Sequence, residues 1–297
     1  MVKRALKVAG IGVGALIGLL FVSVGVAYGV SVSKEDATYA VRDDTFEIPS
    51  APEAIAEGER LYVSRGCGDC HGADGGGRTI MDDVPARVTG TNLTRATDGY
   101  SARDWSRAVR YGLNAEGRAL VFMPSHEYYG MSDRDLAMIA AYVARMPDVD
   151  RELPETEVRV VGRFIELAGG LALFPASQID HAAERPQAPE PAPTVEYGAY
   201  LGIGCTGCHG AQLSGGAVPG APPELGMPLN LTPHETGLGT WSRDDFVRAM
   251  REGVAPDGRH LDAEQMPWRN FGRMNDVELH ALWAWLQTLP PVPEGNR

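Results

Sequence analysis

The feature that most constrains this chain is a pentapeptide that occurs twice and consumes every cysteine: Cys67-Gly68-Asp69-Cys70-His71 and Cys205-Thr206-Gly207-Cys208-His209. Around each copy the spacing repeats. Asn-Leu-Thr begins 21 residues after each histidine, at Asn92 and Asn230. A Ser-x-x-Asp capping box then opens a short helix that stops at glycine, Ser101 with Asp104 before Gly112 and Ser242 with Asp245 before Gly253. Met-Pro follows at Met123 and Met266. Nine residues beyond each methionine, Ser132 or Asn275 caps a last helix, which carries an aromatic, Tyr142 or Trp285, 19 residues after the methionine. Fixed internal spacings of this kind mark a duplicated structural unit.

Apolar Leu136, Ile139, Ala140 and Val143, and likewise Leu279, Leu282, Trp283 and Leu286, recur with helical period, while strand signals are nearly absent. Residues 54–65 and 196–203 suit short helices ahead of the cysteines, the second weakened by Gly198 and Gly202. The expected fold is all-α, with two small domains in tandem over residues 51–150 and 194–297.

Cys-x-x-Cys-His is the attachment sequence of c-type haem: the thiols add across the vinyl groups and the adjacent imidazole meets the iron. Two disulfides are the alternative for an exported chain with four cysteines, and zinc is another. The paired spacing argues against disulfides, and each half offers Met-Pro where a fourth zinc ligand is needed. The expected cofactors are therefore two covalently bound haem c, held by Cys67, Cys70, Cys205 and Cys208, with His71 and His209 on the iron. Met123 and Met266 are the candidates for the sixth ligand. A thioether suits haem iron and raises its potential relative to imidazole, and both lie in an irregular segment before the last helix. Met131 and Met274 are their rivals, and His126, His234 and His260 form a second class. Met227 is too close to His209 to span a haem. Met138 and Met250 read as core, and Trp105 and Phe246 as packing against haem or core. Residues 72–77 and 210–216 read as glycine-rich turns beside the haem, and Arg78, Arg87 and Arg118 as candidates to neutralise propionates. No catalytic residue is assigned.

Lys3, Arg4 and Lys7 precede an uncharged apolar run over residues 8–33, long enough to cross a bilayer and longer than the core of a cleaved export signal. Residues 1–33 are expected to remain as a single-pass anchor in the lipid of the cytoplasmic (inner) membrane. The positive flank places the N-terminus in the cytoplasm and the haem domains on the periplasmic or extracellular side. With 39 acidic residues against 27 basic and a net charge of −12, nucleic acid is excluded as a partner. No lysine follows Lys34, so a docking face rimmed with lysine is missing, which predicts a basic partner or permanent membership of a complex. Residues 151–193 belong to neither repeat. Residues 158–174 are apolar but interrupted by Arg159, Arg163 and Glu166, which suits a helix buried against the domains better than one on the lipid surface. Four prolines within residues 185–193 make a semi-rigid connector.

Taken together, these residues make the chain similar to the class I cytochromes c, and more closely to the membrane-bound dihaem and multihaem cytochrome c subunits of bacterial periplasmic dehydrogenases. The resemblance covers residues 51–150 and 194–297. It is most specific at Asn230-Leu231-Thr232-Pro233, residues 237–242, Met266-Pro267 and Trp285, and looser in the first half. It implies one covalent haem per domain, with His71 and His209 proximal and Met123 and Met266 distal. Such subunits usually carry three domains and often a C-terminal anchor, so two domains and an N-terminal anchor leave the partner open.

The expected function is the carriage of single electrons from a donor dehydrogenase or quinol-oxidising respiratory complex to an acceptor cytochrome or terminal oxidase. Two haems form a short wire if the domains pack together. The competing class is a haem enzyme, either a dihaem peroxidase or an oxidoreductase acting on a small sulfur compound. Methionine on both irons closes them to substrate, and no cysteine remains as a thiolate ligand. A structural or sensor haem protein is the third class.

Overall fold

The computed structural model describes residues 2–42, 44–218 and 226–296. Helix α1 (Val2–Asp36) comes first. Its stretch Gly10–Asp36 contains an 18-residue window of mean hydropathy 2.3 and lies open over most of its length, with Leu16 and Phe21 among its exposed side chains. At about 1.5 Å per residue it is long enough to cross the ~30 Å hydrocarbon core of a membrane.

The segment after α1 is fastened to the first helical domain. Tyr39 N–H donates to the Gly117 carbonyl at 2.9 Å. Asp44 pairs at 2.9 Å with Arg110, a guanidinium with no solvent exposure that also holds Asp133 at 2.6 Å. Phe46 and Ile48 pack on the core around Leu61, Trp105 and Leu136.

That domain contains α2 (Pro52–Ser64), α3 (Cys67–His71), α4 (Leu93–Ala96), α5 (Ala102–Val109), α6 (Ser125–Tyr128) and α7 (Asp133–Val143). Helix α5 begins at the expected Ser101–Asp104 capping box, and Ser132 caps α7 through the Asp135 amide. The core forms where α2 crosses α7. Gly58 makes the crossing close, since a Cβ there would lie 2.0 Å from the Met138 carbonyl oxygen.

Among the described residues the structure adds one small sheet and a few isolated bridges to the expected helices. Strands β1 (Arg78–Asp82), β2 (Ala86–Gly90) and β3 (Glu157–Val158) form a small antiparallel sheet in the order β1-β2-β3. A bulge between Thr79 and Met81 and the brevity of β3 suppress the period-2 signal on which a strand reading depends. Through β3 the interdomain segment joins the first domain, where Leu173 and Phe174 bury against Ala86 and Val88. Helix α8 (Val160–Leu167) follows β3. Contrary to the burial expected of it, it leaves Val160 53% and Val161 45% exposed. Gly162 and Arg163 are its buried residues, the glycine against the Pro85 carbonyl.

The second domain repeats the plan with α9 (Val195–Gly202), α10 (Thr206–His209), α11 (Arg243–Glu252), α12 (Trp268–Phe271) and α13 (Asp276–Leu286). Ser242 and Asn275 open α11 and α13 with capping boxes. Gly198 meets α13 as Gly58 meets α7, with a hypothetical Cβ 2.0 Å from the Ala281 carbonyl oxygen. The architecture is thus mostly helical: one apolar N-terminal helix and two like domains in tandem.

The domains are in contact. Arg65 Nη2 lies 2.7 Å from Glu278 Oε1 of the second domain and 3.3 Å from Asp135 Oδ2 of its own. Tyr200 Oη donates to the same Asp135 oxygen at 3.1 Å and accepts from the Ser132 amide at 3.1 Å. Burial raises the Glu278 carboxyl, but Arg65 and Arg60 outweigh it and hold the group below its ordinary value.

Candidate haem sites

Each Cys-x-x-Cys-His folds as a single turn. Gly66, at φ +76°, leads into α3, while a 3-10 turn (Ile203–Cys205) leads into α10. Gly72 and Gly210, at φ +80° and +82°, reverse the chain after the histidines. Such left-handed geometry favours glycine. Within each turn the cysteines lie three apart and so share a face, with the imidazole directly after them.

Both histidines are oriented alike. His71 Nδ1 is 2.9 Å from the Thr91 carbonyl oxygen and His209 Nδ1 is 2.7 Å from that of Leu229. Donation from Nδ1–H fixes the tautomer and leaves the Nε2 lone pair for a metal. Burial lowers the His71 pKa, partly opposed by the Thr91 bond, and so favours the neutral ring that ligates. The backbone repeats as well, since His71 O accepts from Gly77 N at 2.8 Å and His209 O from Gly215 N at 2.9 Å.

The Asn-Leu-Thr repeat proves to be a staple, a role its spacing alone did not disclose. Asn92 Oδ1 accepts from the Thr94 amide and hydroxyl, and its Nδ2 donates to the Val149 carbonyl at 2.8 Å. Asn230 does the same with Thr232 and with Val292, the latter at 2.7 Å. Each asparagine thereby ties the loop after the histidine to the segment beyond the last helix.

Met123 and Met266 occupy one and the same turn. The Met123 carbonyl accepts from Ser125 N at 2.7 Å and that of Met266 from Trp268 N at 2.6 Å. Pro124 and Pro267 match at φ −76°, ψ 53° and φ −74°, ψ 55° before one-turn helices. Around a cavity of about 830 Å³ the structure brings together Cys205, Cys208, His209 and Met266. That volume lies within the roughly 300–1,000 Å³ of pockets that enclose small ligands and cofactors. Phe246, Met250, Leu282 and Leu286 give it apolar walls, so the residues fit a haem. Of the first-domain set, Cys70 lines the same cavity. Cys67, His71 and Met123 do not, and Met123 is partly buried.

Met131, Met227 and Met274 line the same cavity, but Met131 and Met274 are packed in the cores at 4% and 3% exposure, Met227 is 67% exposed, and none of the three shares the turn that Met123 and Met266 have in common. His126 and His260 also line the cavity, whereas His234 is half-buried, does not line it and bonds Thr236 through Nδ1. Arg87 is taken up by Asp82 and Glu157 at the sheet.

Sequence reasoning also missed Glu127. It lines the cavity from the first domain, its Oε1 close to Gly207 of the second attachment turn, and burial pushes its carboxyl up to about 7. A glutamate on a four-residue helix gives no periodic signal, and only the contact between domains reveals it.

Comparison with known proteins agrees with this geometry. The chain is 25% identical over 296 residues to a "Diheme cytochrome c-type" protein of Cereibacter sphaeroides, covering 84% of this chain and 92% of the relative. It is 27% identical over 317 residues to the cytochrome c subunit of an alcohol dehydrogenase (quinone) of Gluconobacter oxydans, covering 95% of this chain. It is 41% identical over 93 residues to one of the subunits of nicotinate dehydrogenase of Pseudomonas putida, covering 30% of this chain. The chain spans 60% of the length of the alcohol dehydrogenase relative and 8% of that of the nicotinate dehydrogenase relative. The cytochrome c family model matches residues 55–147 and 196–290, and the chain therefore belongs to the cytochrome c family, proteins that carry electrons on covalently bound haem c rather than turning over a substrate.

Proposed function

We propose that the protein holds two haem c groups, in domains spanning residues 51–150 and 194–297, and relays single electrons between them. In this reading Cys67 and Cys70, and Cys205 and Cys208, form the thioether links. His71 and His209 are the proximal ligands, and Met123 and Met266 the distal ones. When bound, haem c supplies one-electron chemistry at its iron. The chain's own residues fix the imidazoles through the Thr91 and Leu229 carbonyls, exclude water with the apolar walls around Leu282 and Phe246, and hold the attachment turns together. The observation that carries the proposal is that Cys70 and Cys208, one from each attachment turn, line a single cavity at the domain contact.

The donor is a dehydrogenase or quinol-oxidising complex, as the relatives named for alcohol and nicotinate dehydrogenases suggest. The acceptor is a cytochrome or terminal oxidase. Helix α1 anchors the protein in the inner membrane with its N-terminus in the cytoplasm and both haem domains on the outer side. Pyridine haemochrome analysis of the purified full chain is expected to give two haems per polypeptide. Stepwise reductive titration is expected to show two one-electron components, whereas one haem or a high-spin resting spectrum would defeat the relay. An acidic carrier that docks with a basic donor loses association rate as salt is added, and stopped-flow reduction across ionic strength reads this directly.

A further inference from the structure

Helix α8 is bound to the outer end of α1 by groups that leave no net charge between them. Arg163 Nη2 lies 2.6 Å from Glu35 Oε2, its Nη1 lies 3.3 Å from the hydroxyl of fully buried Ser31, and its guanidinium covers the Tyr28 ring at 5.1 Å. Lys34 Nζ pairs with Glu166 Oε1 at 2.5 Å. At 100° per residue, Arg163 and Glu166 fall on one side of α8. Val160, Val161, Phe164 and Ala168 fall on the other, with both valines and the alanine exposed and Phe164 partly so. That exposed face carries no charge.

The height of this face follows from α1. The uncharged run from Val8 to Ser31 rises about 35 Å at 1.5 Å per residue, enough to fill the ~30 Å hydrocarbon core, so Ser31 lies at its outer boundary when α1 spans the bilayer. Helix α8 is tied to α1 across Tyr28, Ser31, Lys34 and Glu35 and therefore lies at that boundary too. Pairing both cations with carboxylates suits a depth at which an unpaired charge is costly, and an apolar face beside charges turned inward suits a helix lying in the interface.

We infer that α8 is a second membrane contact, its Val160–Val161–Phe164 face seated in the headgroup and acyl boundary of the lipid that α1 crosses. The inference rests on the anchor reading of α1. It makes the interdomain segment a membrane-docking element of the first haem domain, through the Arg159 amide bond to the Pro85 carbonyl and the pairing of β3 with β2.

The test is collision accessibility of a nitroxide in the full-length holoprotein reconstituted into phosphatidylcholine and phosphatidylglycerol nanodiscs. Labels are placed singly at Phe21→Cys, Val161→Cys and the solvent-exposed Asp244→Cys. The native cysteines, consumed in thioether bonds, do not compete. The expected result is that the Val161 label, like the Phe21 label, collides with oxygen several-fold more than with a polar nickel chelate, and that the Asp244 label does the reverse. A Val161 label that behaves like Asp244 overturns the inference, as does one shielded from both reagents, which would assign the face to a protein partner. If the Phe21 label itself prefers the chelate, the anchor reading fails. If Phe21 reads as lipid and Val161 as water, only the contact by α8 fails.

Discussion

Arg60 and Tyr200 hold the same place in the first helix of their domains, two residues after the glycine that meets the last helix, and each reaches the third residue of the other domain's last helix. Arg60 binds Glu278 and Tyr200 binds Asp135. The contact is thus close to two-fold, and Arg65 lies at its centre between the two carboxylates. Arg65→Ala leaves Asp135, 4% exposed, without a cation, and Glu278, 1% exposed, with Arg60 alone. It is expected to cost about 3–5 kcal/mol in guanidinium unfolding. Tyr200→Phe removes the hydroxyl's donation to the Asp135 carboxylate and its acceptance from the Ser132 amide, and is expected to cost about 1.5–3 kcal/mol.

Gly198→Ala is expected to lower stability by roughly 1–3 kcal/mol or more, because the added methyl meets the Ala281 carbonyl oxygen at 2.0 Å and neither backbone can retreat. Gly204→Ala, at a position with no atom within 4 Å, serves as the control and is expected to be close to neutral. Thermal melts followed by helical circular dichroism distinguish the two.

Met266→Ala is expected to abolish about half of the weak methionine-to-iron absorption of the oxidised protein and to lower one of the two midpoint potentials, because a thioether ligand raises the potential of haem iron. Met123→Ala is expected to remove the other half. Met274→Ala is expected to lower stability and leave the band, since Met274 is packed in the core. Loss of the band in the Met274 variant, and its survival in that of Met266, would reverse the ligand assignment.

Glu127 ties stability to pH. Its folded carboxyl lies at about 7, above an ordinary value of 4.5, so folding favours the protonated form. Stability is therefore full below the ordinary value, falls as pH rises through the window between the two values, and levels off above it. The loss totals roughly 3 kcal/mol. Glu127→Gln removes this dependence, and its unfolding midpoint is expected to exceed the parent's at pH 8 and to match it near pH 4.5.

What the sequence disclosed and what it withheld divide along range. The cysteine, histidine, Asn-Leu-Thr and Met-Pro spacings are local and duplicated, and they locate α2, α5, α7, α9, α11 and α13 to within two or three residues. Gly198 weakened the reading of α9 by propensity, yet the helix forms because that glycine admits α13. The sheet stayed hidden because the β3 residues lie 70 and 72 residues beyond the β2 residues they pair with, and the strand spans only two. The Arg65–Glu278 pair joins residues 213 apart in the chain, and no periodicity encodes it. Of the apolar run 158–174, Leu173 and Phe174 are buried while Val160 and Val161 are exposed, a division that an apolar run does not encode.

The fastening of Tyr39, Asp44, Phe46 and Ile48 changes how such a molecule meets other proteins. Asp44 is clasped by buried Arg110 and Tyr39 is bonded to Gly117, which ties the chain after the apolar helix to the first domain. A cytochrome on a leash sweeps a volume above the membrane and trades speed for reach. On the anchor reading proposed above, this one stands at a set height with a set orientation, so its partners must arrive at that level, and less rotational freedom is left to lose when they do.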